Sequence, residues 1–290
     1  MLAMINRNLL LYFRDRSGVI LSLMGALISF ILYIIFLKNN MVDGWSKIKD
    51  VKQMLDMWLI GGTLSITGIT TTFAGLTQMV KDREQQVYQD ILLTDISPIK
   101  IQLSYISSST FIGIIMQGLM LLIMVVYFTL TDTFNFPWQK SFSMAGLIML
   151  SSLLASLMNA ILVNFIHNQA NLSKVSTLIG TSAGFLVGSY IPIGLLPDFA
   201  QTMMKLTPGT YVASLYRQVL MNDTLTEIFS NNINQQNNFS AYMGVQIQWS
   251  KLLTFNQTLA VVVMITLMSL LMLTGLTMKF SLKINKRVAR

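Results

Sequence analysis

Uncharged apolar runs recur along the chain, and six of them are long enough to cross a bilayer: about 18–37, 58–80, 104–130, 142–164, 175–196 and 257–278. A hydrocarbon layer about 30 Å thick takes roughly 20 helical residues. In lipid, a single segment satisfies its backbone groups only as a helix. The pattern predicts an all-α integral membrane protein with six transmembrane helices. Ahead of the first run, Leu2, Ile5, Leu9, Tyr12 and Phe13 share one helical face and Arg7 and Arg14 another. That spacing predicts an N-terminal interfacial helix, or a basic flank that only sets orientation.

Two connections carry pattern of their own. Between the second and third runs, residues 81–98 alternate apolar and charged positions, with Val87, Ile91 and Thr94 flanked by Tyr88, Leu92 and Asp95. This spacing predicts a short amphipathic helix stopped by Pro98. The other long connection, 197–256, opens with Pro192, Pro197 and Pro208 around short apolar stretches, followed by Tyr211, Leu215 and Val219 on one face. Prolines beside apolar runs predict broken, re-entrant helices at the outer mouth before the last span. Residues 230–240 hold five Asn and two Gln, an exposed polar loop by composition.

Composition sharpens the class. Of 290 residues, 53% are hydrophobic and only 11% charged, with a mean hydropathy of +0.60. A soluble domain carries about 25% charged residues. The net charge of +8 is distributed unevenly. Segments 1–17, 81–100, 165–175 and 279–290 hold 12 Lys and Arg, while the longer alternate set holds 8. The positive-inside rule then places both termini in the cytoplasm, so the basic balance reflects anionic lipid and not nucleic acid.

Every charged residue falls in a connection by this division, so no ionisable group is expected inside a span. Ion-coupled carriers and intramembrane proteases need such groups. With no Cys and a lone His167, no catalytic set and no metal set can be assembled. Within the spans, Thr63, Thr67, Thr70 and Thr71 form a small polar stripe that either packs helices or lines a translocation path. Gly180, Gly184 and Gly188 form a doubled small-xxx-small face for helix packing. Met264, Met268 and Met272 share one face of the sixth run, suited to lipid or to an adaptable partner.

The segment Arg83-Glu84 through Ile91-Leu92-Leu93-Thr94-Asp95-Ile96-Ser97-Pro98 resembles the coupling helix of permease subunits in the type-two ABC exporter family, with Gln86-Val87 where Gly-Thr is usual. Tyr190 through Pro197, Leu206-Thr207-Pro208 and Tyr216-Arg217 are similar to that family's outer re-entrant segment. The resemblance implies that residues 1–290 are one permease domain in a plasma membrane. It implies a separate cytoplasmic ABC ATPase that binds ATP and Mg, and a second permease subunit, the same or different. No G-x-x-x-x-G-K-[ST] loop occurs here, so this chain would be no enzyme. Lys81, Arg83, Glu84, Val87, Tyr88, Ile91, Leu92 and Pro98 would couple the ATPase to export of an amphipathic or apolar substrate such as a drug, hydrophobic peptide or lipid. The alternative is an ATPase-driven scaffold or signalling subunit that transports nothing. Abundant Asn, Lys, Ile and Met without Cys suggests a bacterial source.

Overall fold

The computed structural model describes residues 1–45, 50–94, 96–132, 134–229 and 232–288, with side chains to Thr277. Helix α1 (Leu2–Arg14) turns at Asp15, whose side chain accepts from the Gly18 amide and caps α2 (Arg16–Leu32). A π-helical turn, Tyr33–Leu37, leads into α3 (Lys38–Gly44). The centre of the bundle is α4 (Val51–Glu84), followed by the short α5 (Val87–Leu92) and the long α6 (Pro98–Asp132). Helices α7 (Ser141–Asn164), α8 (Gln169–Leu186), α9 (Asp198–Lys205), α10 (Pro208–Ile228), α11 (Ile233–Tyr242) and α12 (Phe255–Val288) complete the chain.

Helix α4 is the least lipophilic of the five helices long and apolar enough to cross a membrane, and it is the most buried of them. It is packed by α2, α6, α7, α8 and α10. Lipid favours apolar faces, so a helix rich in Thr and Gly is stable only when other helices shield it. Its threonines donate to their own helix: Thr67 to Thr63 O, Thr70 to Ile66 O and Thr71 to Thr67 O. Its glycines admit close neighbours. A Cβ at Gly61 would lie 2.8 Å from the Arg217 side chain on α10, and one at Gly75 would lie 2.9 Å from Ile112 on α6.

A polar layer crosses the bundle at the middle of α4. Gln117 on α6 donates to Ser152 at 2.7 Å, and its carbonyl accepts from Tyr216 on α10 at 2.7 Å and from Ser151 on α7 at 3.0 Å. Asn159 donates to Ile69 O and Thr72 Oγ1, each at 2.9 Å. On one side of the layer lies a core around Trp58, Phe128 and Leu215, and on the other a core around Phe73, Tyr105 and Leu157.

Four expectations need correction. The run at 175–196 does not form one helix. Helix α8 starts at Gln169, ends at Leu186, and carries Ser173, Lys174, Ser176, Thr177, Thr181 and Ser182, so it is not among the five apolar helices. Its end is set by Gly188, whose φ of +69° a helix cannot hold. The Asn/Gln-rich stretch is largely helical, as α11, capped by Asn232 through the Gln235 amide and anchored by buried Phe239 against Trp45. Stretch 81–98 is not one helix: α4 runs to Glu84, Gln86 turns at φ +63°, and Pro98 is the first residue of α6.

The fourth correction concerns charge. With 34 residues α4 is about 51 Å long at 1.5 Å per residue, well beyond the hydrocarbon layer, so acidic residues sit on it. Asp56 is fully buried, 2.9 Å from Lys38, and accepts from the Tyr33 hydroxyl, while Lys38 also pairs with Asp132 at 2.5 Å. Helix α10, expected as part of a re-entrant segment in the outer connection, packs into the bundle and buries Arg217.

Close packing at Gly61 gives a direct test. Gly61→Val is expected to destabilise the detergent-solubilised protein by about 1–3 kcal/mol through overpacking. Gly118→Val, where nothing lies within 4 Å of a new Cβ, is expected to leave the melting temperature unchanged. Equal melting temperatures for the two variants would contradict the tight α4–α10 contact.

Candidate functional site

The corner where α4 meets α5 gathers charge at one end of the bundle. Asp82, on the last turn of α4, is 1% exposed. It accepts two hydrogen bonds from Arg7 of α1 at 2.7 and 2.9 Å, one from Tyr105 of α6 at 2.5 Å and one from Gln78 at 2.7 Å. Two N–H donors from one guanidinium fix α1 against α4 in direction as well as distance. The hydrogen bond to Asp82 raises the Arg7 pKa above its ordinary value, so the cation persists at physiological pH.

The next two residues reach other helices. Arg83 donates to Asn164 Oδ1 at the end of α7, at 2.8 Å. The Glu84 carboxylate accepts from the Gln169 amide, the first residue of α8, at 3.1 Å. A carboxylate at that point meets both an unsatisfied N–H and the positive end of the helix. Three consecutive residues thus tie the end of α4 to α1, α7 and α8. Lys81, on the same turn, is half-buried.

Helix α5 presents two faces. Tyr88, Ile91 and Leu92 pack against the core beneath, and Val87 is half-buried. Burial raises the Tyr88 pKa, so its phenol stays protonated. Gln85, Gln86, Gln89, Asp90, Leu93 and Thr94 face outward, and Leu93 is 83% exposed. The residues expected to carry coupling therefore anchor the segment. The side chains free to touch a partner are their neighbours, a split that needs the actual position of α5 on the bundle to be seen.

The other end of the bundle is closed by a cation. Arg217 on α10 donates to the carbonyls of Gly188 at 2.8 Å, Gly244 at 3.2 Å and Trp58 at 3.2 Å, with its guanidinium 4.6 Å from the Trp58 ring centre. Both glycines have positive φ, so each of these carbonyls belongs to a turn that only glycine readily adopts. No carboxylate among the described residues pairs with Arg217. Three carbonyls and an aromatic face replace water around the charge.

The prolines begin elements at this same end. Pro192 precedes the turn Ile193–Leu195, Pro197 precedes α9, and Pro208 opens α10, a position where the missing N–H costs nothing. Thr210 donates to Leu186 O at 2.7 Å, joining the start of α10 to the end of α8.

The polar stripe of α4 lies inside the bundle, with Thr63, Thr67, Thr70 and Thr71 all buried. A cavity of about 220 Å³ between α7 and α8 reaches α4 at Ser65, Gly68 and Ile69, and Asn159 and Ser182 face it from the two sides. Of the glycine face, Gly180 brings its carbonyl against Gly25 of α2, Gly184 holds the ring of Tyr190, and Gly188 is the turn beyond α8. The three glycines therefore serve three contacts instead of one helix face. Met264, Met268 and Met272 are exposed on α12.

The Arg7–Asp82 bond has a measurable asymmetry. Removing Arg7 strands a buried carboxylate, whereas removing Asp82 leaves a cation that is one-third exposed and can turn to water. Arg7→Ala is expected to cost about 1–3 kcal/mol, less than a fully buried pair because of that exposure. The double variant Arg7→Ala/Asp82→Ala is expected to recover part of it. Thermal unfolding in detergent decides, and additive losses would show that the pair does not couple α1 to α4.

A family model described as ABC-2 type transporter matches residues 1–221. Comparison with curated proteins and with solved structures gave no match.

Proposed function

Because the chain belongs to the ABC-2 type transporter family, as a membrane-embedded permease subunit, we propose that it couples ATP hydrolysis on a separate ATPase chain to export of an amphipathic or apolar substrate. The observation that carries this reading is the α4–α5 corner: an exposed apolar side chain, Leu93, beside Gln89 and Asp90, mounted on a turn bonded to α1, α7 and α8. An ATPase docked on that face, binding ATP and Mg itself, would move the corner as a unit. Rigid helices would then pass the motion across the membrane as a change of packing.

In this reading α8 completes a sixth crossing with the turn after it, α9 and α10 re-enter from outside, and both termini and α5 lie in the cytoplasm. The lysines and arginines that flank the α5 end favour that orientation. Helix α1 lies along the cytoplasmic interface. The substrate path follows α8, where Ser173, Thr177 and Thr181 are exposed. Along the middles of α2, α6 and α12 the exposed residues are instead apolar, mainly Leu, Ile, Val, Met and Phe, as lipid requires. A hydroxyl-bearing face of α8 is suited to a second permease subunit across a shared path. The largely apolar cavity behind it favours apolar cargo.

Two substitutions separate docking from transmission. Leu93→Asp is expected to lower co-purification of the ATPase about tenfold, the loss of one buried anchor at an interface. Glu84→Lys is expected to leave co-purification intact and to uncouple ATP hydrolysis from transport, because it repels the N-terminus of α8. Membrane insertion is unchanged in both. Normal transport by both variants would overturn the coupling assignment, and hydrolysis with no substrate dependence in the native protein would favour a non-transporting scaffold.

A further inference from the structure

The cavity of about 220 Å³ between α7 and α8 has polar groups of one kind on its wall. Both helices pack on α4 yet leave a gap between them, and Leu162, 46% exposed, lies at its mouth. Five side chains on the wall carry N–H or O–H groups, and all have spent their hydrogens on the protein. Ser65 donates to Gly209 O at 2.8 Å, Ser151 to Gln117 Oε1 at 3.0 Å, Ser182 to Leu178 O at 2.7 Å and Thr207 to Met204 O at 2.8 Å. Asn159 gives away both N–H groups, to Ile69 O and Thr72 Oγ1, each at 2.9 Å. Ile69 O has no hydrogen, and Thr72 donates its own to Gly68 O. The orientation of the Asn159 amide is thereby fixed, and its oxygen is left over. Asn159 is 4% exposed, and no described residue donates to Oδ1. That oxygen is still reachable by water, unlike the sealed hydroxyls of Thr63 and Ser189, and the gap is the space that Asn159 lines.

A nearly buried acceptor with no donor calls for one. No Lys, Arg, Asp or Glu lines the gap, so nothing on its wall compensates a charged occupant at membrane depth. A carboxylate or phosphate would also find no free side-chain donor. Water can meet Oδ1 but not the apolar remainder of the wall, which suits a molecule of both characters. We infer that the gap binds a neutral apolar molecule carrying a hydroxyl, which donates to Asn159 Oδ1. A closed cavity of about 150 Å³ holds benzene, so this one has room for roughly ten heavy atoms, with any longer chain leaving past Leu162 toward lipid. As a class of cargo, such molecules rest on the export reading above. As a binding site, the gap stands without it.

The test uses the full chain in detergent and a photoactivatable 4-alkylphenol bearing a diazirine, with labelled residues mapped by mass spectrometry. The competitors are 4-propylphenol and 4-propylanisole, matched in micellar concentration and differing in the donor. Label is expected on gap-lining residues of α7 and α8, and propylphenol is expected to displace it about tenfold better than propylanisole, roughly 1.4 kcal/mol. Ala155→Leu, which fills the gap from α7 at a half-buried position, is expected to abolish this labelling. Asn159→Leu is expected to keep the label and lose the preference, so that both competitors act alike. If Asn159→Leu does not fold, the native preference and Ala155→Leu decide. Equal displacement in the native chain, label confined to other residues, or labelling undiminished in Ala155→Leu would overturn the site. Binding is read without the ATPase, so failure here leaves the coupling assignment standing, and failure of that assignment shows instead in Leu93→Asp and Glu84→Lys.

Discussion

A helix with a hydroxyl or a glycine on nearly every turn has no face to give to lipid, and the whole molecule is arranged around that constraint on α4. Thr67, Thr70, Thr71, Thr72 and Thr77 donate to carbonyls of their own helix, which lowers the cost of burying them. Its glycines let α6 and α10 approach closely enough for their amides and hydroxyls to meet across the bundle. Interhelical hydrogen bonds in membranes average only about 0.6 kcal/mol, so the Gln117 layer sets the register of the helices more than it holds them together. The apolar cores on either side provide the bulk of the cohesion.

Because α4 is longer than the membrane is thick, its two ends carry charge, and the two ends differ in kind. At one, Lys38 lies between Asp56 and Asp132, and Arg217 is enclosed by carbonyls. These groups join segments that are far apart in sequence, and breaking any of them would leave a buried charge uncompensated. At the other, the bonds run from three consecutive residues to three different helices, and the outward face of α5 stays uncovered. The first arrangement suits a closed end. The second suits an input, since one displacement of the corner is felt by α1, α7 and α8 together.

Much of this was legible in the sequence. The runs that became α2, α6, α7 and α12 are uncharged and predominantly apolar, and hydropathy alone locates such helices. The motif around Arg83-Glu84 falls at the end of α4, where the corner is. Hydropathy failed where a local or tertiary feature outweighed composition. Gly188 ended α8 early because a left-handed turn was needed there, and Gly180 and Gly184, though in register with it, meet different partners. Residues 232–242 folded as a helix because Asn232 caps it and Phe239 finds Trp45, which Asn and Gln content conceals. Arg217 was counted as a loop cation, since only the return of α10 into the bundle places carbonyls around it. Leu92 and Leu93 are indistinguishable as types, and only the packing of α5 shows which one faces outward.

The chain contains no cysteine, which makes its most direct test clean. A single cysteine placed at Leu93 and carrying a photo-activated cross-linker is compared, in native membranes, with one at Leu130, which is 81% exposed at the opposite end of the bundle. Leu93→Cys is expected to cross-link to a chain bearing a nucleotide-binding P-loop, and Leu130→Cys is not. Cross-linking of that ATPase from both positions, or from neither, would contradict the assignment of the α4–α5 corner as the site where ATP hydrolysis enters the permease.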